Sequence, residues 1–192
     1  MRVDVLLFEG FDELDAIAPY EVFRLAARRD GVDARLVTVT PADRVEARSG
    51  LRVEPDGTVS DSPEALVVPG GGWNDPDGPG VRREYDRGDL PEVIADAFAA
   101  GATVASVCTG AMLLAAAGLL EGRPATTHHT ALADLRDTGC VAREARFVDD
   151  GRVLTAGGIT SGIDLALHLV ERECGPDVAA SVARELEYER DV

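Results

Sequence analysis

Short apolar runs, each broken off by glycine, proline or acidic residues, alternate along this chain with stretches whose apolar positions recur at helical spacing. Residues 2–8 form the first run, closed by Glu9-Gly10, and residues 16–28 place Ile17, Val22, Phe23 and Leu25 mostly at helical intervals, which predicts strand, loop and helix. The β-branched segment 34–40 predicts a strand that stops at Pro41, and segments 45–47 and 51–53 flank Ser49-Gly50 as a small hairpin, together an excursion at the sheet edge. Residues 65–68 predict a buried strand that runs into Pro69-Gly70-Gly71-Gly72 and then a turn-rich, mobile loop reaching Pro79. A helix with an acidic first turn is predicted over 89–100 and ended by Gly101, a strand over 103–107, and an Ala- and Leu-rich helix over 111–120. A short helix over 131–136, a hairpin of 146–148 with 153–155, and helices over 163–173 and 178–188 complete the chain. This alternation predicts an α/β architecture with a mainly parallel sheet covered by helices on both faces. No repeat, low-complexity tract or linker divides residues 1–192, so one domain is expected.

Charge narrows the partners. There are 19 basic and 35 acidic residues, a formal net charge of −16, and every basic residue is arginine. Such a chain repels phosphate backbones, so sequence-independent nucleic-acid binding is not expected. The acidic groups are spread along the chain, which suits a cytosol of high salt; a base-composition bias replaces Lys by Arg equally well. The near-apolar run 110–120 is far shorter than the roughly 18 residues that suggest a membrane span, and Asp4 interrupts the N-terminal run that a signal peptide needs. No membrane partner is expected. Cys108, Cys140 and Cys174 show no Cys-x-x-Cys spacing, which argues against a disulfide framework or a zinc site and favours a reduced, cytoplasmic setting.

The chemistry concentrates at 103–114, where a β-branched run passes through Cys108-Thr109-Gly110 directly into a helix. That is the form of a nucleophile elbow: a sharp turn lifts the side chain off the C-terminal edge of the sheet, and Gly110 lets helix and strand approach. Sulfur at a helix start is expected to gain thiolate character, with a pKa lowered to roughly 3.5–7.5. Cys140 and Cys174 lack this setting and read as inert. Gly70 and Gly71 follow a buried strand, where backbone N–H groups are expected to point into a site and stabilise developing negative charge. After the first strand, Glu9, Asp12, Glu13 and Asp15 offer four carboxylates; most read as solvated or capping groups, whereas Asp15 sits among Leu14, Ala16 and Ile17, a setting that raises its pKa and lets it share a proton with sulfur. His128 and His129 follow a further strand end, so a Cys–His dyad is conceivable; one packed and one exposed histidine is the plainer reading. His168 lies on an apolar helix face and reads as structural. The spacing of His, Cys and carboxylates supports no metal site. Trp73 and Tyr85 flank the loop after the triglycine and either shape the pocket or cover core or interface.

Five segments resemble the ThiJ/PfpI superfamily of class I glutamine amidotransferase-like proteins: Phe11-Asp-Glu-Leu-Asp15-Ala-Ile-Ala-Pro-Tyr-Glu-Val-Phe23, Val68-Pro-Gly-Gly71, Ser106-Val-Cys108-Thr109-Gly110-Ala, Gly118-Leu-Leu-Glu-Gly-Arg-Pro-Ala-Thr-Thr-His128 and Thr155-Ala-Gly-Gly-Ile-Thr-Ser-Gly-Ile-Asp164. Asp15, the Cys108-Thr109 pair and Leu186-Glu-Tyr-Glu189 look most like the isonitrile hydratase branch. Superfamily members with a peptidase-type dyad place His directly after the nucleophile, where this chain has Thr109, so protease activity is not implied. The resemblance implies a flavodoxin-like three-layer sandwich, usually a homodimer, with an acid from the first strand–helix junction hydrogen-bonded to the elbow cysteine; Asp15 matches that acid. With no DNA-binding domain after residue 192, the chain is expected to stand apart from the longer regulators that share this half.

The activity so implied is hydration of an isonitrile, a small-molecule substrate, to an N-substituted formamide without metal or organic cofactor. Cys108 thiolate attacks the terminal carbon, Asp15 delivers a proton to give a thioimidate and then activates water, and Thr109, Gly70, Gly71 and His128 contact the substrate. Two alternatives keep the elbow: a redox or stress protein in which Cys108 is oxidised beside Asp15, and glyoxalase-type chemistry on methylglyoxal with His128 moving protons.

Overall fold

The computed structural model describes residues 1–29 and 31–190. In chain order the strands are β1 (Arg2–Leu6), β2 (Asp33–Thr38), β3 (Val45–Glu46), β4 (Arg52–Val53), β5 (Gly57–Thr58), β6 (Ala65–Val68), β7 (Thr103–Ser106), β8 (Pro124–Ala125), β9 (Val141–Ala142), β10 (Phe147–Asp150) and β11 (Val153–Ala156). The helices are α1 (Glu13–Ala27), α2 (Val81–Arg87), α3 (Asp89–Ala99), α4 (Gly110–Ala116), α5 (Leu132–Asp137), α6 (Ser161–Cys174) and α7 (Pro176–Glu185).

Seven strands form one sheet in the order β10-β11-β7-β6-β1-β2-β5, parallel except where β10 meets β11. Every residue of β6 and β11 is buried, as parallel strands covered on both faces require. Helices α1, α6 and α7 pack together, and α2, α3, α4 and α5 form a second group, which gives the flavodoxin-like sandwich. The chain steps from β1 outward to β2 and then returns to place β6 on the other side of β1. That reversal opens a crevice beyond the C-terminal ends of β1 and β6, the position where open α/β sheets bind ligands.

Three expectations change. The segment expected at the sheet edge divides: β2 pairs with β1 inside the sheet and β5 forms the edge, while β3 and β4 make a separate antiparallel ribbon. The loop expected to be mobile after the triglycine is tied at its ends, because Val81 N–H donates to Gly71 C=O at 2.7 Å and Gly80 packs where a Cβ would lie 2.6 Å from that oxygen. It leads into α2, for which residues 81–87 carry too few apolar positions to show a period. Helix α1 begins at Glu13, earlier than residue 16, because Asp12 caps it by accepting from Leu14 N–H at 3.2 Å; Asp15 therefore lies in its first turn.

Close approach at the elbow depends on Gly110. A Cβ there would lie 2.3 Å from Val68 O and 2.7 Å from Pro69 O, both fixed backbone atoms. Gly110→Ala is expected to lower the unfolding free energy by about 2 kcal/mol or more in urea denaturation; a loss below about 0.5 kcal/mol, the scatter of neutral surface changes, would contradict this packing.

Candidate active site

Cys108 leaves β7 with φ +56°, a left-handed backbone that a residue with a Cβ seldom adopts. Such a conformation costs roughly 1–3 kcal/mol and persists where its surroundings over-determine it. Both of its backbone groups are held: its N–H donates to Gly157 C=O at 2.9 Å and to Ala156 C=O at 3.1 Å, and its C=O accepts from the Thr127 hydroxyl at 2.8 Å. The loops after β8 and β11 thus clamp the turn from two sides, and the sulfur-bearing residue is left only 7% exposed.

Asp15 reaches the same point from α1 and is fully buried. Its Oδ2 accepts from Gly70 N–H at 3.0 Å, Oδ1 has no hydrogen-bond partner, and the carboxyl lies near enough to the Cys108 thiol for each to influence the other's ionisation. Gly70 has to be glycine here, since a Cβ would meet Thr109 N at 2.6 Å and Asp15 Oδ2 at 2.9 Å. Gly71 N–H donates to Thr109 Oγ1 at 3.0 Å. The N–H groups of Gly70 and Gly71, expected to point at substrate, are therefore engaged inside the protein: one holds the acid and the other holds the hydroxyl. Cys108, Asp15, Thr109, Gly70 and Gly71 come together as one unit.

Burial dominates the electrostatics. Desolvation, reinforced by the nearby Asp12 charge, lifts the Asp15 pKa to about 8, against smaller lowering by Gly70 N–H and the Cys108 thiol. Desolvation and the Asp15 carboxyl likewise push the Cys108 thiol up; Thr109 N–H, the one stabilising contact from the turn, is outweighed. The thiolate expected from a helix start is thus corrected. At neutral pH the pair rests as thiol beside carboxylic acid.

His128 lines the same cavity without a hydrogen bond to Cys108 among the described residues. Its Nδ1 faces Thr130, accepting from the N–H at 3.4 Å and meeting Oγ1 at 2.9 Å, which leaves the proton of the neutral ring on Nε2. Burial and the neighbouring His129 lower its pKa, so the neutral form prevails at pH 7. His128 is half-buried and His129 exposed, with ring centroids 4.2 Å apart. His168 contacts Asp149 Oδ2 at 2.6 Å on another face. No cluster of three metal-ligating side chains occurs among the described residues, and no helix there is long and apolar enough to cross a membrane.

The cavity over Cys108 encloses about 330 Å³, a small-molecule dimension. Trp73 lines it and is fixed by Nε1–H donating to Asp134 Oδ2 at 2.5 Å, by Arg82 stacked 3.7 Å from its ring and by Tyr85 edge-on at 5.4 Å. Arg48, Asn74, Thr130 and Ile159 also line it and were not singled out in the sequence. Ile159 belongs to the segment 155–164 already noted for its resemblance, whereas Arg48, Asn74 and Thr130 come from loops whose local pattern carries no signal; the register that brings Arg48 here is tertiary.

The DJ-1/PfpI family signature matches residues 1–172. Over 98% of its length the chain is 38% identical to isonitrile hydratase from Pseudomonas putida, of which it covers 78%. It is 30% identical, again over 98% of its length, to the HTH-type transcriptional regulator GbdR of Pseudomonas aeruginosa, of whose length it spans about half, 51%. A crystal structure of a ThiJ/PfpI family protein from Pseudomonas syringae superposes with a TM-score of 0.87 at 28% identity, covering 100% of this chain and 76% of that one.

The Asp15 carboxyl gives a test of these electrostatics that needs no substrate. Folded, it holds its proton up to about pH 8; unfolded, it releases it near 3.8. Between those values the folded state binds the extra proton, so stability falls as pH rises across that window. Asp15→Asn removes this dependence, and its advantage over wild type in urea denaturation should widen from about pH 4 to about pH 8 and then level off. A difference independent of pH would contradict the raised pKa.

Proposed function

The chain belongs to the DJ-1/PfpI family, and on that footing we propose that it is a cysteine-dependent hydratase that adds water to an isonitrile to give an N-substituted formamide. The observation that carries this reading is the fully buried Asp15 carboxyl beside the buried Cys108 thiol, where desolvation favours the neutral acid. Addition to the terminal carbon of an isonitrile requires one new bond to sulfur and one to hydrogen at the same atom. A neutral acid in contact with a thiol supplies both.

In this mechanism Asp15 Oδ1 gives its proton to the terminal carbon as Cys108 Sγ bonds to it, and the thiol proton passes to the vacated carboxyl oxygen. The thioimidate forms with Asp15 still protonated. Water then bonds through oxygen to the same carbon; of its two protons, one goes to nitrogen and one to the departing sulfur, each through Asp15. Formamide leaves and the thiol is restored. No electrons are exchanged, and the atoms balance with substrate, water and the chain's own groups. Thr109 Oγ1, occupied as an acceptor by Gly71 N–H, has its own proton to donate and orients water or substrate nitrogen. Gly70 and Gly71 act by holding Asp15 and Thr109 in place. His128, whose ring lines the cavity, acts as a neutral donor rather than a base.

The same features weigh against the alternatives. Oxidative sensing favours exposed, low-pKa thiols, whereas this thiol is buried and its pKa raised. A glyoxalase role needs His128 to move protons to and from the cysteine, and its Nδ1 is turned to Thr130.

Assay against a small aryl or cyclohexyl isonitrile, following formamide, tests the proposal. Cys108→Ala should abolish turnover, and Asp15→Asn should reduce kcat by about 10²–10⁴-fold, the usual weight of acid–base assistance, with the fold intact. Near-wild-type turnover in Asp15→Asn would end this mechanism. Because the acid form is the active one, kcat/KM should be flat below neutrality and fall as pH rises through about 8; a profile that rises through that range would instead identify thiolate as the reacting species.

A further inference from the structure

Among the residues lining the cavity, charge is carried by Asp12 and Arg48, with His128 held neutral. The Asp12 carboxylate caps the 15-residue α1, its Oδ1 accepting from Leu14 N–H, while its charge still acts on Asp15, Cys108 and His128. Arg48 is left unengaged. Its side chain is exposed at the cavity and forms no hydrogen bond or ion pair among the described residues. Yet its backbone is fixed against the site. Arg48 N–H donates to Phe11 C=O at 2.9 Å, the adjacent Ser49 N–H donates to Glu13 Oε1 at 2.7 Å, and Gly10 N–H donates to Glu46 C=O at 2.9 Å, so the β3–β4 ribbon is stitched to the segment that carries Asp12 and Asp15.

A chain with a net charge of −16 repels anions as a whole. An unpartnered guanidinium at the nucleophile's cavity sets a positive charge there against the negative one of Asp12, and its flat fork of donors matches a carboxylate. We propose that Arg48 is the specificity-determining residue of this site and selects isonitriles whose N-substituent ends in a carboxylate. The substrate class rests on the hydratase reading; the anion preference of the cavity does not. With the terminal carbon at Cys108, the substituent extends toward the opening, where Arg48 closes on its far end.

Two measurements separate these claims. The first uses Cys108 itself as reporter: rates of alkylation at Cys108 by iodoacetate and by iodoacetamide, followed by mass spectrometry at low salt, in wild type and in Arg48→Gln. The iodoacetate-to-iodoacetamide ratio should be at least about tenfold higher in wild type and should shrink with added salt. The second compares kcat/KM for isocyanoacetate with that for its methyl ester. Wild type should prefer the anion, and Arg48→Gln should lower the anion-to-ester ratio by at least about tenfold, chiefly through KM. Equal ratios in the two proteins in either measurement would overturn the assignment of Arg48. If wild type turns over neither isonitrile while the alkylation ratio responds to Arg48→Gln, the hydratase reading fails and the anion site stands.

Discussion

A carboxyl and a thiol share one buried corner, and neither can ionise there without a large desolvation penalty. The rest of the site is arranged around that constraint. Gly70 N–H gives Asp15 Oδ2 a single donor, enough to orient the carboxyl and too little to hold it ionised at neutral pH. Thr109 offers sulfur one N–H, which the burial overrides. The pair therefore keeps a proton next to a nucleophile, which is the feature that the proposed hydratase reading draws on.

The fold supplies this space at the point where its strand order reverses. β1 delivers the Asp12–Asp15 turn, β6 the glycine run and β7 the elbow, all at the same edge of the sheet. Their closeness is possible because side chains are missing where backbones meet: Gly110 against Val68, Gly70 against Thr109, and Gly71, where a Cβ would lie 2.6 Å from Asp12 N. The strained turn at Cys108 is balanced by bonds from elements far off in sequence, at Thr127 and Gly157. Rigidity at the reacting atoms is thus built from contacts that no single segment contains.

What was legible in the sequence follows from that division. The buried strands showed as apolar runs, and the elbow and Gly110 showed because a strand, a turn and a helix within one short segment carry their own pattern. Asp15 stood out by its apolar neighbours, and the structure buries it. The thiol's upward shift was missed because a local reading sees the helix start and not the carboxyl brought from α1. The Gly70 and Gly71 N–H groups were expected to be free for the same reason: their acceptors, Asp15 and Thr109, lie across the fold. Helix α2 and the two-residue β5 are too polar or too short to show a period, and Arg48 depends on the docking of the ribbon.

The protonation state of the pair is the point on which everything turns, and infrared difference spectroscopy of wild type against Asp15→Asn reads it directly. A carboxylic-acid C=O band assigned to Asp15 should be present at pH 6–7 and give way to carboxylate as pH passes about 8. A spectrum showing Asp15 already as carboxylate at pH 6 would contradict the account, since the site would then lack the proton on which its proposed chemistry depends.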